Sequence, residues 1–201
     1  MSVLHIQKNK APEFLEKFKE KNPTADYDSD SFKPLVKPLR DYLVREQRGL
    51  CAYCCSRISS EASHNEHIEP RHGKNGAVSR RSLEYTNIVA SCNTADTCGK
   101  KKDNEYDAGY FISPVQVDCE DRFSYDPDGY MKGDEYTISL LNLNSYKLRM
   151  ARRAIYKEIF NLTEDDIRLI YCSNSEEYWP FSNVIFWFLK NNMLGRAEYN
   201  T

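Results

Sequence analysis

Long hydrophobic runs are absent from this chain, and that absence is the first constraint. The most apolar stretch, Val184 to Leu189, falls far short of the roughly 20 residues that a helix needs to cross a bilayer. No charged-then-apolar leader opens the sequence, so a cytoplasmic protein without membrane contact is expected. Net charge is nearly absent too, since 28 basic residues against 30 acidic ones leave −2. A nucleic-acid binder usually carries a positive footprint, and this total supplies none unless charge is segregated along the chain. No internal repeat or low-complexity tract is present. An even cysteine count is missing as well: in a reducing cytosol, seven cysteines do not read as a disulfide framework, which leaves metal ligation, catalysis and plain burial.

What is present suffices for a packed interior. Mean hydropathy is low at −0.71, yet 12% of residues are aromatic, with 14 Tyr and 9 Phe, and disordered chains lack that composition. The 201 residues exceed the usual domain of roughly 150, which predicts one domain or one domain with appendages. Charge is in fact segregated. From Arg71 to Lys102 seven basic residues face two acidic ones, a local balance of +5, and from Asn104 to Asn142 nine acidic residues face two basic ones, a balance of −7. The basic segment could sit on phosphate; solvated surface is the bland reading.

Periodicity places helices at both ends. Pro12 opens a segment with Phe14, Leu15 and Phe18 on one face, and a second has Leu39, Tyr42 and Leu43 at helical spacing and ends near Gly49. Pro34 and Pro38 obscure where that second helix starts. The segment Cys51 to Cys98 has little periodicity and reads as organised by something other than an apolar core. Asp126-Pro127-Asp128-Gly129 is a turn signal between Arg122 to Tyr125 and the alternating run Tyr136 to Leu140, and it predicts a hairpin of those two strands. Ser145 caps a predicted helix with Leu148, Ala151, Ile155 and Ile159 inward and Arg149, Arg152 and Arg153 outward. Thr163, Asp165 and Asp166 open another helix, and Val184 to Leu189 reads as a core helix rather than a docking surface.

The chemistry-bearing residues lie in the middle. Cys51-Ala52-Tyr53-Cys54 brings two thiols to one tight turn, as a metal site or a redox pair does. Cys92 and Cys98 add a second pair, so that four thiolates could enclose one tetrahedral Zn²⁺ in a structural site. Cys55, Cys119 and Cys172 have no partner at ligand spacing and are read as buried thiols. Between the pairs, His64, His67 and His72 fall within one charged stretch, followed by Asn87 and Asn93.

Glu46-Gln47-Arg48-Gly49-Leu50-Cys51-Ala52-Tyr53-Cys54, Glu66-His67-Ile68-Glu69-Pro70, the run from Leu83 to Asn93 and Cys98-Gly99-Lys100-Lys101-Lys102 together resemble the HNH endonucleases. The branch is the zinc-stapled one, in which cysteine pairs flank a ββα-metal motif. With Thr137-Ile138, Leu141 to Asn144 and Arg149 to Arg153, the likeness spans residues 40–160 and extends to PtuB, the HNH nuclease subunit of Septu-type and retron-associated anti-phage systems.

The resemblance implies an α+β fold: a ββα-metal core at 50–110 stapled by Cys51, Cys54, Cys92 and Cys98 around Zn²⁺, a helical segment at 1–49, and an acidic hairpin with C-terminal helices at 111–201 for packing and partner docking. It gives His67 the role of general base, a role suited to an imidazole at neutral pH. It makes Asn87 the residue that steadies the loop, and Glu66 and Asn93 ligands of a catalytic Mg²⁺ or Mn²⁺. Glu66 stands where Asp is more usual, and Asn93 replaces the last family histidine. His64 and His72 either assist that site or lie on the surface. Arg71, Lys74, Arg80, Arg81, Lys100, Lys101 and Lys102 would contact the nucleic-acid backbone without reading sequence. The implied substrate is DNA by default, with RNA, including tRNA, as the alternative. The implied partners are a PtuA-like SMC/ABC ATPase and, in retron systems, a reverse transcriptase with its RNA–DNA product. Two readings of other classes stand beside it: a zinc-stapled scaffold without catalysis, and a thiol redox protein using Cys51 and Cys54.

Overall fold

The computed structural model describes residues 4–73, 78–173 and 176–191. It is α+β, with seven α-helices and two small antiparallel sheets among the described residues. Helix α1 (Glu13–Lys21) follows Pro12 and buries Leu15 and Phe18. A 3₁₀ turn (Asp30–Leu35) containing Pro34 runs directly into α2 (Val36–Glu46), whose first turn tolerates Pro38 because the amide that proline lacks has no partner there. Leu39 and Leu43 bury the inner face of α2.

Helix α2 packs on the sheet formed by β1 (Ser63–His67) and β2 (Ile88–Cys92). The register runs from Ser63 opposite Cys92 to His67 opposite Ile88. Two strands alone are marginal, and here the outer edge of β2 is covered by a side chain. Gln47 accepts from Ala90 N at 2.6 Å and donates to Ala90 O at 2.8 Å, imitating a neighbouring strand. Helix α3 (Cys98–Lys102) follows and packs against β2. The segment between Cys51 and Cys98 is richer in core than its sequence suggests, because Tyr53, Ile58, Ile68, Leu83, Tyr85, Ile88, Val89 and Ala90 are all buried in it.

The hairpin forms with a different second strand. Strand β3 (Phe123–Tyr125) pairs with β4 (Met131–Gly133), while the alternating run Tyr136 to Leu140 lies in α4 (Glu135–Leu140). Asp134 decides this by accepting from Thr137 N at 2.7 Å as an N-cap. Thr137, Ile138 and Leu141 then face inward at helical spacing. Gly129 at the hairpin tip has φ +81, and a Cβ there would lie 2.1 Å from Arg149 O, so only glycine lets the turn approach α5 (Tyr146–Ile159). Ser145 holds the N-cap position of α5, but its hydroxyl makes no cap bond. Arg152, expected outside, is 2% exposed. It donates to the carbonyls of Gly129 at 2.7 Å and Leu143 at 2.8 Å and to Asn144 Oδ1 at 3.1 Å, tying hairpin and α4–α5 loop to the helix.

Helix α6 (Glu164–Tyr171) begins with a capping box between Thr163 and Asp166. Helix α7 (Ser182–Lys190) buries Val184, Ile185, Phe188 and Leu189 against α5, α6 and β3, as a core helix should. No helix among the described residues is long and apolar enough to cross a membrane.

Candidate active site and metal centre

The four thiols are brought together by three local structures. Cys51 and Cys54 lie in the turn after α2, where Cys55 N donates to Cys51 O at 3.0 Å. Cys92 ends β2, and Cys98 begins α3 with φ +56, its amide held by Leu141 O at 2.9 Å. The four sulfur atoms all lie within 4.8 Å of one another, and all four residues are buried. Four ligands at about 2.3 Å from one tetrahedral zinc have their sulfurs roughly 3.8 Å apart, so donor set and spacing both fit. The thiols cannot all ionise against one another: hydrogen bonds from Cys51, Cys54 and Cys98 pull Cys92 down, while sharing with Cys51 pushes Cys54 and Cys98 up. A divalent cation removes that conflict. Cys55 and Cys119 are buried, and burial pushes both up to about 12, the behaviour of inert thiols. Cys172 is half-buried.

Beside this cluster, along β1 and just beyond Cys92, the donors change from sulfur to oxygen and nitrogen. Alternation along β1 puts His64 and Glu66 on one face and Asn65 and His67 on the other. At the strand end both faces open onto one cavity of about 160 Å³, lined also by Pro70, Arg71, Gly99 and Lys100. His67 is 5% exposed, covered by the Tyr27 ring edge-on at 4.6 Å. Its Nε2 lies 2.8 Å from Ser82 O. A carbonyl only accepts, so Nε2 carries the proton and Nδ1 keeps its lone pair. Burial pushes the imidazole down to about 4 against a smaller upward pull from Ser82, so it is neutral through the physiological range.

Asn87 anchors the loop that follows β1. Its Oδ1 accepts from Glu69 N at 2.8 Å, and its Nδ2 donates to Glu69 O at 3.0 Å and Arg81 O at 3.2 Å. The same loop carries Ser82, the residue that holds His67. Burial opposes ionisation of Glu66, but hydrogen bonds from His64 and the charge of Lys102 outweigh it and hold the carboxyl below the usual range. Lys102 Nζ lies 3.0 Å from Glu66 Oε1 and is wholly buried, which corrects its expected place on the nucleic-acid backbone. Asn93 is exposed, with Oδ1 3.0 Å from His64 Nδ1.

Of the other expected backbone contacts, Arg80, Lys100 and Lys101 are exposed. Arg81 is engaged with Glu69 and Glu84, Arg71 pairs with Asp28 and lies over the Tyr27 ring, and Lys74 lies outside the described residues. His72 pairs with the same Asp28 at 3.2 Å. Sequence reasoning assigned no role to Tyr27 or Gly99 and left His64 open. The signal for His64 was its spacing, two residues before Glu66 on one strand face. Gly99 allows a close approach, since a Cβ there would lie 2.5 Å from Glu66 Oε2 and displace that carboxylate or the His64 ring.

No family model matches the chain. It is 32% identical over 171 residues to a candidate HNH endonuclease of retron Vc95 from Vibrio cholerae serotype O1 biovar El Tor, covering 75% of this chain and 81% of that protein. It is also 27% identical over 202 aligned residues to a candidate HNH endonuclease of retron Ec83 from Escherichia coli, covering 75% and 78% respectively. At that identity and coverage, the chain belongs to the HNH endonuclease family.

Proposed function

We propose that this protein is a metal-dependent HNH endonuclease that hydrolyses phosphodiester bonds of nucleic acid, DNA by default. The observation that carries the reading is the 2.8 Å contact between His67 Nε2 and Ser82 O: Nε2–H donates to the carbonyl, which leaves Nδ1 as the lone-pair nitrogen of a ring that lines the same cavity as Glu66. Strands β1 and β2 with α3 are the ββα unit of such an enzyme, and the four thiols are its structural Zn²⁺ site.

Water is the nucleophile, and His67 Nδ1 takes its proton as oxygen attacks phosphorus. The P–O bond to the leaving sugar oxygen then breaks. Asn87 and Ser82 keep the imidazole from rotating, so the accepting nitrogen stays aimed at the cavity. A base pushed down to about 4 is always in its accepting form at neutral pH, and a phosphodiester anion entering the cavity raises its proton affinity. Bound at Glu66, with Asn93 where the resemblance puts a second ligand, Mg²⁺ or Mn²⁺ would neutralise charge on the phosphate oxygens and the leaving oxygen. Arg80, Lys100 and Lys101 are exposed cations available to the backbone of the substrate.

We read it as the effector of an anti-phage complex with a PtuA-like SMC/ABC ATPase and a reverse transcriptase carrying its RNA–DNA product, a reading supported by its similarity to HNH endonucleases of two retrons. The test is a cleavage assay of the complex with Mn²⁺, offering duplex DNA, single-stranded DNA and tRNA side by side. Wild type should cut at least one and His67→Ala none, at equal zinc content.

A further inference from the structure

His64 stands between the two side chains that the catalytic metal is expected to use. Its Nδ1 lies 3.0 Å from Asn93 Oδ1. An amide oxygen only accepts, so Nδ1 carries the proton and the lone pair of the neutral ring is on Nε2. Nε2 in turn lies 3.4 Å from Glu66 Oε2. With a proton on Nε2 this contact is a hydrogen bond to the carboxylate; without it two acceptors face each other, and a divalent cation can take the place the proton holds.

The rest of the pocket singles out the same two atoms. Glu66 Oε1 already has Lys102 Nζ at 3.0 Å and the Tyr53 hydroxyl at 3.4 Å, whereas Oε2 has the His64 ring and lies against Gly99. A Cβ on residue 99 would lie 2.5 Å from Oε2 and 2.8 Å from Nε2, so both atoms converge on a space that only glycine leaves open. Neighbouring ligands in an octahedral shell at about 2.1 Å are roughly 3 Å apart, close to the separation present here.

We propose that His64 Nε2 and Glu66 Oε2 together bind the catalytic divalent cation, and that Asn93 orients His64 through Nδ1 instead of ligating the metal. The proposal rests on the nuclease reading of this pocket. Its arrangement is the one metal-bound histidines favour, with the second ring nitrogen donating to an oxygen that fixes the tautomer. A mixed nitrogen and oxygen pair selects Mn²⁺ over Mg²⁺, which prefers oxygen alone.

The experiment is Mn²⁺ binding to the full chain with its zinc retained, followed by electron paramagnetic resonance and its pulsed nitrogen-modulation form. Wild type should bind Mn²⁺ with the modulation of a directly coordinated imidazole. His64→Gln should lose that modulation and bind at least tenfold more weakly, while Asn93→Ala should keep the modulation with a smaller loss of affinity. Should His64→Gln lose zinc, His67→Gln labelled with ¹⁵N-histidine decides: the modulation must change isotope and persist although the other imidazole of the cavity is gone. Mn²⁺ bound without nitrogen modulation, or modulation that survives in His64→Gln, overturns the ligand assignment and leaves the nuclease reading intact. Absence of Mn²⁺ binding to wild type overturns both.

Discussion

The thiol cluster and the Glu66–His67 pocket share a strand and a helix yet differ in every property that governs a metal site. Cys92 and Cys98 belong to the cluster, and their chain neighbours Asn93 and Gly99 belong to the pocket. The cluster is closed, buried and made of four like donors, which suits a site that only folds the chain. The pocket mixes carboxylate, amide and imidazole around a cavity of about 160 Å³, which suits a site where something must enter and leave. The expected dependence runs one way: with Cys92 ending β2 and Cys98 opening α3, losing the cluster should release both elements and the pocket with them, whereas changes in the pocket should leave the cluster standing.

Cys98→Ser probes that dependence hardest. Structural zinc contributes on the order of 10 kcal/mol or more of folding free energy, so the variant should lose zinc, its cooperative thermal transition and all pocket functions together. A folded, zinc-free protein that still bound Mn²⁺ would break the comparison. The pocket also has its own stability signature. His67 is held down at about 4 from an ordinary 6.5, so the folded state favours its neutral form. That contribution, up to about 3 kcal/mol, is complete above pH 6.5 and lost as pH falls toward 4. Denaturation across that window should show the slope in wild type and a flatter one in His67→Gln, with zinc content unchanged.

Smaller effects sharpen the boundary. Gly99→Ala places a methyl 2.5 Å from Glu66 Oε2 and should weaken Mn²⁺ binding by roughly tenfold to a hundredfold, although Cys98 beside it keeps its zinc. Lys100→Ala and Lys101→Ala should each lower the salt dependence of nucleic-acid binding by about one unit of log–log slope if they meet phosphate. Lys102→Ala, by contrast, should act on Glu66 and leave that slope alone.

Lys102 also shows where the sequence stopped being legible. Three consecutive lysines read as one solvated run, but α3 puts residue 102 four after Cys98, on the same inward face, and turns 100 and 101 outward. Arg152 has the same lesson, since it sits four after Leu148 within the stripe that Ile155 and Ile159 continue, and position outweighed residue type. The run Tyr136 to Leu140 failed for another reason: alternation over a few residues is ambiguous, and the Asp134 cap settles it toward helix. Each thiol pair, the helix start at Thr163 and the burial of α7 were legible because each depends on local spacing, and two thiol pairs in one chain suggest a shared ion. His64 was not, because its role appears only when β1, β2 and α3 converge on Gly99.

In the proposed nuclease, this pocket cuts nucleic acid and His67 is its base. Wild type is compared with His67→Ala at matched zinc content, with Mn²⁺ and the proposed PtuA-like ATPase present. A positioned general base contributes about 10²- to 10⁴-fold, so cleavage should fall by at least 10²-fold while zinc and fold persist. Equal cleavage by the two proteins would contradict the account.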